Sequence, residues 1–169
     1  MSASLYDSSI SALTLGLTNL AAIIDKAAAF AEAKKVEPKV LADSRLIADM
    51  FPLSRQVQIV CDTAKGAAGR LAGVEPPKHE DTETTLSDLK ARIAKTIDFV
   101  SSIKAAQLAG AESREIVLQF PRLTLKFSGA DYLRKFVLPN FYFHLSIAYG
   151  ILRSNGVELG KGDYLGSIQ

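Results

Sequence analysis

Apolar residues recur every three or four positions along most of this chain, which is the spacing of amphipathic α-helices. The pattern predicts four long helices, over about 5–35, 52–71, 85–106 and 129–154, and a short helical piece that opens at Pro38. A helix with one apolar stripe must bury that stripe against other elements. We therefore expect an all-α fold, a four-helix bundle, formed as a single domain over residues 1–169.

Local capping signals mark the starts of three of these helices, each a Ser or Thr followed three positions later by Asp. The pairs are Ser4 with Asp7, Thr85 with Asp88, and Ser128 with Asp131. Pro139 lies inside the fourth helix, where its missing backbone N–H predicts a kink or a local break. Asn155-Gly156 is a stop signal, and the glycine-rich tail after it is expected to pack back across the bundle.

The helical spacing also predicts which positions are buried. In the second long helix the expected core face consists of Leu53, Val57, Val60, Ala64, Ala67 and Leu71. Four polar residues of that helix are predicted to face water, namely Arg55, Gln58, Asp62 and Lys65. In the first helix the buried stripe is expected to run through Leu13, Leu17, Leu20, Ile24 and Ala28.

Between the third and fourth helices the periodicity changes. The segments "REIVLQF" and "LTLKFSG" alternate apolar and polar residues at period two, and Pro121 and Arg122 separate them. This alternation predicts a small β-hairpin, or a pair of extended segments, inserted into an otherwise helical chain.

Charge and cysteine content narrow the classes of function. The net charge is +2 and the 20 basic residues are scattered, without the basic stripe typical of nucleic-acid binding. Cys61 is the only cysteine, which fits a reducing compartment. The N-terminus does not resemble a signal peptide, and "ISALTLGLTNLAAII" is too short and too polar to span a bilayer. We expect a cytoplasmic protein that binds neither nucleic acid nor membranes.

His144 is the residue on which any prediction of chemistry depends. It lies on the fourth helix, and Asn140 lies one turn before it, so an amide occupies the first position of an H-x-x-x-H spacing. The residues alone leave three roles open. His144 is a core histidine with a hydrogen-bonded ring, a member of a binding or catalytic pocket, or a metal ligand.

The other reactive side chains favour structural roles. His79 lies in the connection "PPKHEDTETT", where the neighbouring carboxylates are typical of a solvated loop. Cys61 adjoins apolar positions of the second helix and has no neighbouring base in the sequence, so we interpret it as a structural thiol. The dense aromatic set that includes Tyr149 is expected to divide between the core and a pocket or oligomer interface.

Three stretches, "DMFPLSRQVQIVCD", "NFYFH" and "AYGILRSNGVELGKGDYLG", resemble a bacterial domain-of-unknown-function family within the DinB-like superfamily. The resemblance implies a four-helix bundle that is often dimeric and often binds a divalent metal, and some members act as thiol transferases. Metal-binding members use one histidine from the start of the second helix and two from an H-x-x-x-H on the fourth. On this sequence those positions fall on Gln56, Asn140 and His144.

Two amides among three ligand positions predict a degenerate metal site, because neutral amide oxygens hold zinc or nickel poorly. The leading hypothesis is a homodimeric binding or interaction protein in which Gln56, Asn140 and His144 line a polar pocket, with a small molecule as its ligand. Asp49 and Tyr149 are further pocket candidates, and Asp49 or Asp163 could supply a carboxylate.

Two alternatives remain open. One is a transferase-like or hydrolase-like enzyme that uses a weakly held zinc or nickel ion, or His144 as the catalytic general base. The other is a purely structural dimer in which the polar cluster only fixes the helix register.

Overall fold

A computed structural model of the protein describes residues 4–167 and contains seven α-helices and one two-stranded sheet in that part of the chain. The helices are α1 Ala12–Lys34, α2 Pro38–Asp43, α3 Leu53–Ala72, α4 Leu86–Ser102, α5 Gly129–Tyr132, α6 Leu138–Ser154 and α7 Lys161–Leu165. The strands are β1 Glu115–Phe120 and β2 Leu123–Ser128.

The four long helices form a closed bundle. Helix α1 packs against α4, α4 against α3, α3 against α6, and α6 against α1. All six residues predicted to form the core face of the second long helix are fully buried in α3. Gly16 of α1 allows a close approach to α6, because a Cβ at that position would lie 2.6 Å from the ring of the buried Phe141. The predicted four-helix bundle is confirmed.

The first helical segment is capped at Ser4, as predicted. The Ser4 hydroxyl accepts a hydrogen bond from the Asp7 amide (3.0 Å), and a π-helical turn, Asp7–Ser11, runs directly into α1. The continuous helix Asp7–Lys34 has 28 residues and is, by length and composition alone, long and apolar enough to cross a membrane. The prediction that "ISALTLGLTNLAAII" is too short and too polar to span a bilayer therefore does not hold for the whole helix that contains it. Of its apolar 18-residue window, 44% is buried in the structure, and Leu13 and Leu17 are fully buried in the bundle.

Two sequence predictions about the helices were wrong in detail. Ala28 is exposed, because the buried stripe of α1 continues through Ala27 and Ala31 instead. The third long helix ends at Ser102 rather than near residue 106. Ile103 is extended there (ψ 129°), and a short 3₁₀ turn, Ala105–Leu108, follows as a separate element.

The fourth helical segment continues without a break, and it changes from α- to π-helical geometry just before Pro139, where a kink or a local break was predicted. Ser128 caps α5 by accepting a hydrogen bond from the Asp131 amide (3.2 Å). A π-helical turn, Leu133–Val137, then leads into α6, whose first turn contains Pro139. Because proline has no N–H to donate, the hydrogen-bonding pattern of the helix changes just before it.

The hairpin and the tail complete the fold. Strands β1 and β2 pair antiparallel, with Phe120 opposite Leu123 across the Pro121-Arg122 turn, as the alternation predicted. The tail returns to the bundle, where the Asn19 side-chain amide donates to the Tyr164 carbonyl (3.1 Å) and α7 packs against α1.

Candidate functional site

His144 and Gln56 contact each other across the interface between α6 and α3. The His144 Nδ1 atom lies 2.7 Å from Gln56 Oε1. Gln56 lies in the first turn of α3 and is almost completely buried, whereas His144 is half-buried in the middle of α6. The structure therefore brings together two of the three positions that the resemblance assigned to metal ligands.

A second hydrogen bond fixes the orientation of the Gln56 amide. Its Nε2 donates to the Phe51 carbonyl (3.0 Å), so Oε1 is the atom that faces the imidazole. An amide oxygen only accepts, so the His144 Nδ1 must carry the hydrogen. The lone pair of this histidine is then on Nε2, which bonds to no other side chain or backbone group within residues 4–167.

The environment keeps the His144 ring neutral. Burial lowers its pKa from the usual 6.5, and the nearby positive charge of Arg55 lowers the pKa further. Both causes disfavour the imidazolium form. At neutral pH the ring is therefore a hydrogen-bond acceptor, and chemically a base, at Nε2.

Asn140 does not join this contact. Its Nδ2 donates to the Thr63 hydroxyl of α3 (2.8 Å), two helical turns along α3 from Gln56. The side chains at 56, 140 and 144 thus make two separate hydrogen bonds across the same helix pair rather than one three-membered cluster.

The remaining candidates lie elsewhere. Asp49 is exposed in the loop before α3. Tyr149 packs edge-on against Tyr164 of α7, with ring centroids 5.9 Å apart. Asp163 forms an ion pair with Lys26 (2.7 Å), which together with the Gly160 amide lowers the pKa of the carboxyl. Neither Asp49 nor Asp163 bonds to His144 within the described part of the chain.

Exposed apolar side chains lie on the two segments that carry the His144–Gln56 contact, α6 and the loop before α3. Phe143 lies edge-on against the imidazole, with 5.1 Å between the ring centroids. Phe51 lies just before α3, and its carbonyl accepts the hydrogen bond from Gln56 Nε2. Both phenylalanines are more than half exposed. Leu46 and Ile47, in the same loop as Phe51, are also exposed, and Leu46 approaches α6 at Gly150. We call these four exposed residues, Leu46, Ile47, Phe51 and Phe143, the apolar rim; of them, Phe143 packs against the His144 ring.

A resident divalent metal does not fit these side chains. A zinc site needs three or four converging nitrogen, sulfur or oxygen ligands. Between residues 4 and 167, no group of three His, Cys, Asp or Glu side chains is arranged to hold a metal ion. The Gln56 oxygen already accepts from the imidazole, and the Asn140 amide is bonded to Thr63.

Sequence reasoning missed a charged cluster on the other side of α3. Arg92 of α4 is buried, and its guanidinium pairs with Asp62 (2.8 Å), Asp81 (3.0 Å) and Glu83 (2.9 Å). Gln58, which donates to Glu83 (2.9 Å), is buried as well.

The prediction that the polar face of α3 is exposed to solvent was therefore wrong for Gln58, which is buried. Arg55, Asp62 and Lys65 are half-buried and contribute to the same cluster, with Arg55 paired to Asp81 and Lys65 to Asp62. The physical reason is that the loop before α4 folds over this face and supplies the carboxylates of Asp81 and Glu83. The available signal was Arg92 itself, which adjoins the buried Ile93 on α4.

Cys61 lies on α3, close to this cluster. Burial raises the pKa of its thiol to about 12, and a hydrogen bond with Thr96 only partly offsets that effect. A thiol with such a pKa carries almost no thiolate at neutral pH, so Cys61 is not prepared to act as a nucleophile.

Comparison with known proteins identifies the family of this chain. The family model described as Domain of unknown function (DUF1993) matches residues 5–165. This chain belongs to the DUF1993 family. Among solved structures, a DinB family member protein from Shewanella denitrificans, determined at 1.83 Å, is 48% identical, with a TM-score of 0.90 over 97% of this chain and 93% of that one. No curated protein matches the chain.

The resemblance to the DinB-like superfamily and to one of its domain-of-unknown-function families is thus confirmed. In this DUF1993 protein the positions that the resemblance points to are occupied by a glutamine, an asparagine and one histidine. These three side chains bond to other groups of the protein. Nε2 of His144 is the exception, since it has no partner among residues 4–167.

Proposed function

We propose that this DUF1993 protein is a binding protein that uses His144 and the apolar rim, and that it works without a resident divalent metal. The ligand is a small molecule that donates a hydrogen bond to His144 Nε2 and places an apolar group against Phe51 and Phe143. The observation that carries the proposal is the hydrogen bond between Gln56 Oε1 and His144 Nδ1. It occupies the inner ring nitrogen and leaves the outer one available as an acceptor.

Three features support this function. The imidazole is neutral at physiological pH because burial and Arg55 lower its pKa. Large apolar side chains that are exposed next to one polar acceptor are the usual composition of a binding surface. Asn140, the remaining amide, is bonded to Thr63 and does not face the imidazole.

Metal content and affinity test the first half of the proposal. Untagged protein is analysed for bound elements and titrated with zinc, nickel and manganese, alongside His144→Ala and the double variant Gln56→His with Asn140→His. We expect stoichiometric zinc binding only in the double variant, since it restores a three-histidine set. Stoichiometric binding by the wild type that disappears in His144→Ala would overturn the proposal.

Ligand binding is tested with phenol, which joins an O–H donor to an apolar ring. The C–H resonances of the two histidines are followed by NMR during a phenol titration, because the chain contains only His79 and His144. A saturable shift of His144 without a shift of His79 is the expected result. Equal shifts of both rings, or none, would contradict binding at this surface.

A second candidate function is general-base catalysis by His144. A neutral imidazole whose Nδ1–H is held by Gln56 is in the protonation state that a general base needs. Hydrolysis of p-nitrophenyl acetate tests it, with His144→Ala as the probe and His79→Ala as the matched control. An activity that only the first substitution removes would favour the enzyme.

We also propose that the protein is a cytoplasmic homodimer whose contact includes the apolar rim, so that the ligand lies at the subunit boundary. Sedimentation at micromolar concentration tests the dimer. Phe143→Ser should dissociate it, whereas Leu123→Ser, at a hairpin residue that is also 55% exposed, should not. A monomeric wild type would refute this proposal.

A further inference from the structure

A small cavity lies on the side of the bundle that carries the hairpin, between β1, α3 and the helical segment that runs from α5 into α6. Its volume is about 240 Å³. Drug-sized ligands occupy sites of roughly 300–1,000 Å³, so this cavity has room for a molecule with a single ring. None of its wall residues belongs to the contact of His144 with Gln56 or to the apolar rim.

One part of the cavity wall is aromatic. Phe120, at the end of β1, lies 6.5 Å from Phe136 between ring centroids, and Phe136 stacks on Tyr132 with 5.9 Å between centroids. Phe120 is 45% exposed and Phe136 is half-buried, so the row of rings is not closed off by the protein. Aromatic rings pair at centroid distances of roughly 4.5–7 Å, and the ring of a ligand can extend this row in the same way.

The guanidinium of Arg70 is held beside these rings. Its Nη1 donates to the Tyr132 hydroxyl (3.3 Å). Gly66, one turn earlier on α3, leaves the space for it, because a Cβ there would lie 2.5 Å from Arg70 Nη1. Apart from the two neighbours of Gly66 in sequence, no other side chain of the described residues would come within 4 Å of that Cβ. The glycine therefore makes room for the guanidinium alone.

Arg70 is the charge of the cavity wall that has no opposite partner among residues 4–167. The other charged residue of the wall is Asp62, whose carboxylate is neutralised by Arg92 (2.8 Å) and Lys65 (2.9 Å). The partner of Arg70 is an uncharged hydroxyl, and the residue is exposed, so a ligand can reach its remaining N–H groups from solvent. The planar fork of a guanidinium matches a carboxylate.

The free edge of β1 supplies further hydrogen-bond donors. The sheet consists of β1 and β2, so β1 pairs on one side only, and no backbone bond joins residues 115–120 to another element in the described part of the chain. Four consecutive residues of this strand, 117–120, line the cavity. Alternate residues of an unpaired edge present backbone N–H and C=O groups, and an N–H of this kind can donate to a carboxylate oxygen.

We propose that this cavity binds a small aromatic carboxylate, with its ring against Phe120 and Phe136 and its carboxylate on the guanidinium of Arg70. Gly66 and the Tyr132 hydroxyl position that guanidinium. The proposal does not rest on His144. An ionised carboxylate has no hydrogen to donate to His144 Nε2, so either proposal can fail while the other stands.

Calorimetric titration of the protein at neutral pH and constant ionic strength tests the proposal with three probes. Benzoate has both the ring and the charge, acetate has the charge without the ring, and benzamide has the ring without the charge. We expect saturable binding of benzoate, and binding of the other two that is weaker by roughly tenfold or more. No saturable binding of benzoate, or equal binding of either partial probe, would overturn the proposal.

Substitutions of Arg70 and of a matched arginine test the charge. Arg70→Gln should weaken benzoate binding by roughly tenfold or more, because it removes the charge-assisted hydrogen bonds. Arg153→Gln is the control, since it removes an exposed arginine that lies outside the cavity wall, and it should leave the affinity unchanged. Equal weakening in both variants would show a general effect of net charge and would overturn the proposal.

Gly66→Ala tests the position of the guanidinium while keeping its charge. The added methyl would occupy the place of Arg70 Nη1, so benzoate binding should weaken. The free energy of unfolding in urea should not fall, because alanine has a higher helix propensity than glycine. An affinity equal to that of the wild type would overturn the assigned role of Gly66 and Arg70.

The NMR resonances of His144 locate the bound probe. They should not shift during the benzoate titration, because His144 does not line the cavity. A saturable shift of His144 would place benzoate at the surface around that residue and would overturn the proposal.

Discussion

Helix α3 carries polar side chains on two sides, and the two sides differ in how they are built. Toward α6 it makes two neutral side-chain contacts, Gln56 with His144 and Thr63 with Asn140. Toward α4 it joins a network in which one buried guanidinium holds three carboxylates. The first side leaves a ring nitrogen free for a partner, whereas the second uses its charges mainly to hold the protein together.

This difference indicates that the α6 side of α3 is suited to binding a partner, whereas the α4 side contributes mainly to stability. A neutral contact can lose one member at modest cost, because the partner left behind is uncharged. A buried ion pair that loses one member leaves an uncompensated charge in a poorly solvated place. We therefore expect substitutions at the two sides of α3 to differ in size, and the following predictions test that ordering.

The largest effect is expected for Arg92→Met. Removing the guanidinium leaves Glu83, whose side chain is 11% exposed, without its cation, so the free energy of unfolding should fall by about 3 kcal/mol or more. Urea denaturation at neutral pH measures it. Arg134→Met is the control, since Arg134 is 73% exposed and pairs only with Asp131 nearby in sequence, and its loss should cost under about 1 kcal/mol. Similar losses in both variants would show that the burial of Arg92 adds nothing to the cost of removing its charge.

A smaller effect is expected for Gln56→Leu. The substitution leaves His144 Nδ1 and the Phe51 carbonyl without their partners, which should cost about 1–3 kcal/mol. A double-mutant cycle with His144→Leu sharpens the test, because replacing both partners by apolar groups should recover part of the loss. Strictly additive losses would show that the hydrogen bond is not formed in solution.

Much of the fold could be predicted from this sequence, because local signals and the hydrophobic pattern agree. The caps at Ser4, Thr85 and Ser128 form as their spacing indicates, and Thr85 makes a complete capping box with Asp88. The hairpin lies where the period changes from helical spacing to two. Each of these features depends on residues that are close together along the chain.

The polar sites were less predictable, because they depend on which elements meet in space. Spacing places Asn140 and His144 on one side of α6, yet Asn140 faces Thr63 and His144 faces Gln56. The cluster around Arg92 depends on the loop that brings Asp81 and Glu83 over α3. Helical periodicity carries no information about such a loop, so the polar face of α3 was predicted to meet water.

A still smaller effect is expected for Asn140→Ala, which separates the two neutral contacts. The loss of its hydrogen bond to Thr63 should lower the free energy of unfolding by about 1 kcal/mol. The pKa of His144 should not change, since Asn140 does not contact the ring. Urea denaturation and an NMR titration of His144 check the two parts. A shifted His144 pKa would mean that the three side chains form one cluster after all.

Lowering the pH should have the smallest effect near neutrality, because it removes no contact and both rings are partly open to solvent. Both histidines have a folded-state pKa below the unfolded value of 6.5. The unfolded chain therefore binds more protons as the pH falls below about 6.5, so stability is full above that pH and declines toward the folded pKa values. Burial acts to raise the pKa of Glu83, but its hydrogen bonds to Arg92 and Gln58 outweigh that effect and lower the pKa. The stability that this carboxylate contributes is therefore lost only as the pH falls below its usual value of 4.5.

Urea denaturation between about pH 7.5 and 5 separates these contributions. His144→Gln and His79→Gln should each flatten the decline, because each removes one group that takes up a proton on unfolding, and the double variant should flatten it most. The two sides of α3 are compared directly in this way, since His144 reports on the neutral contact with Gln56 and His79 on the surroundings of Arg92. A stability that increases as the pH falls through this range would contradict the neutral state assigned to both rings.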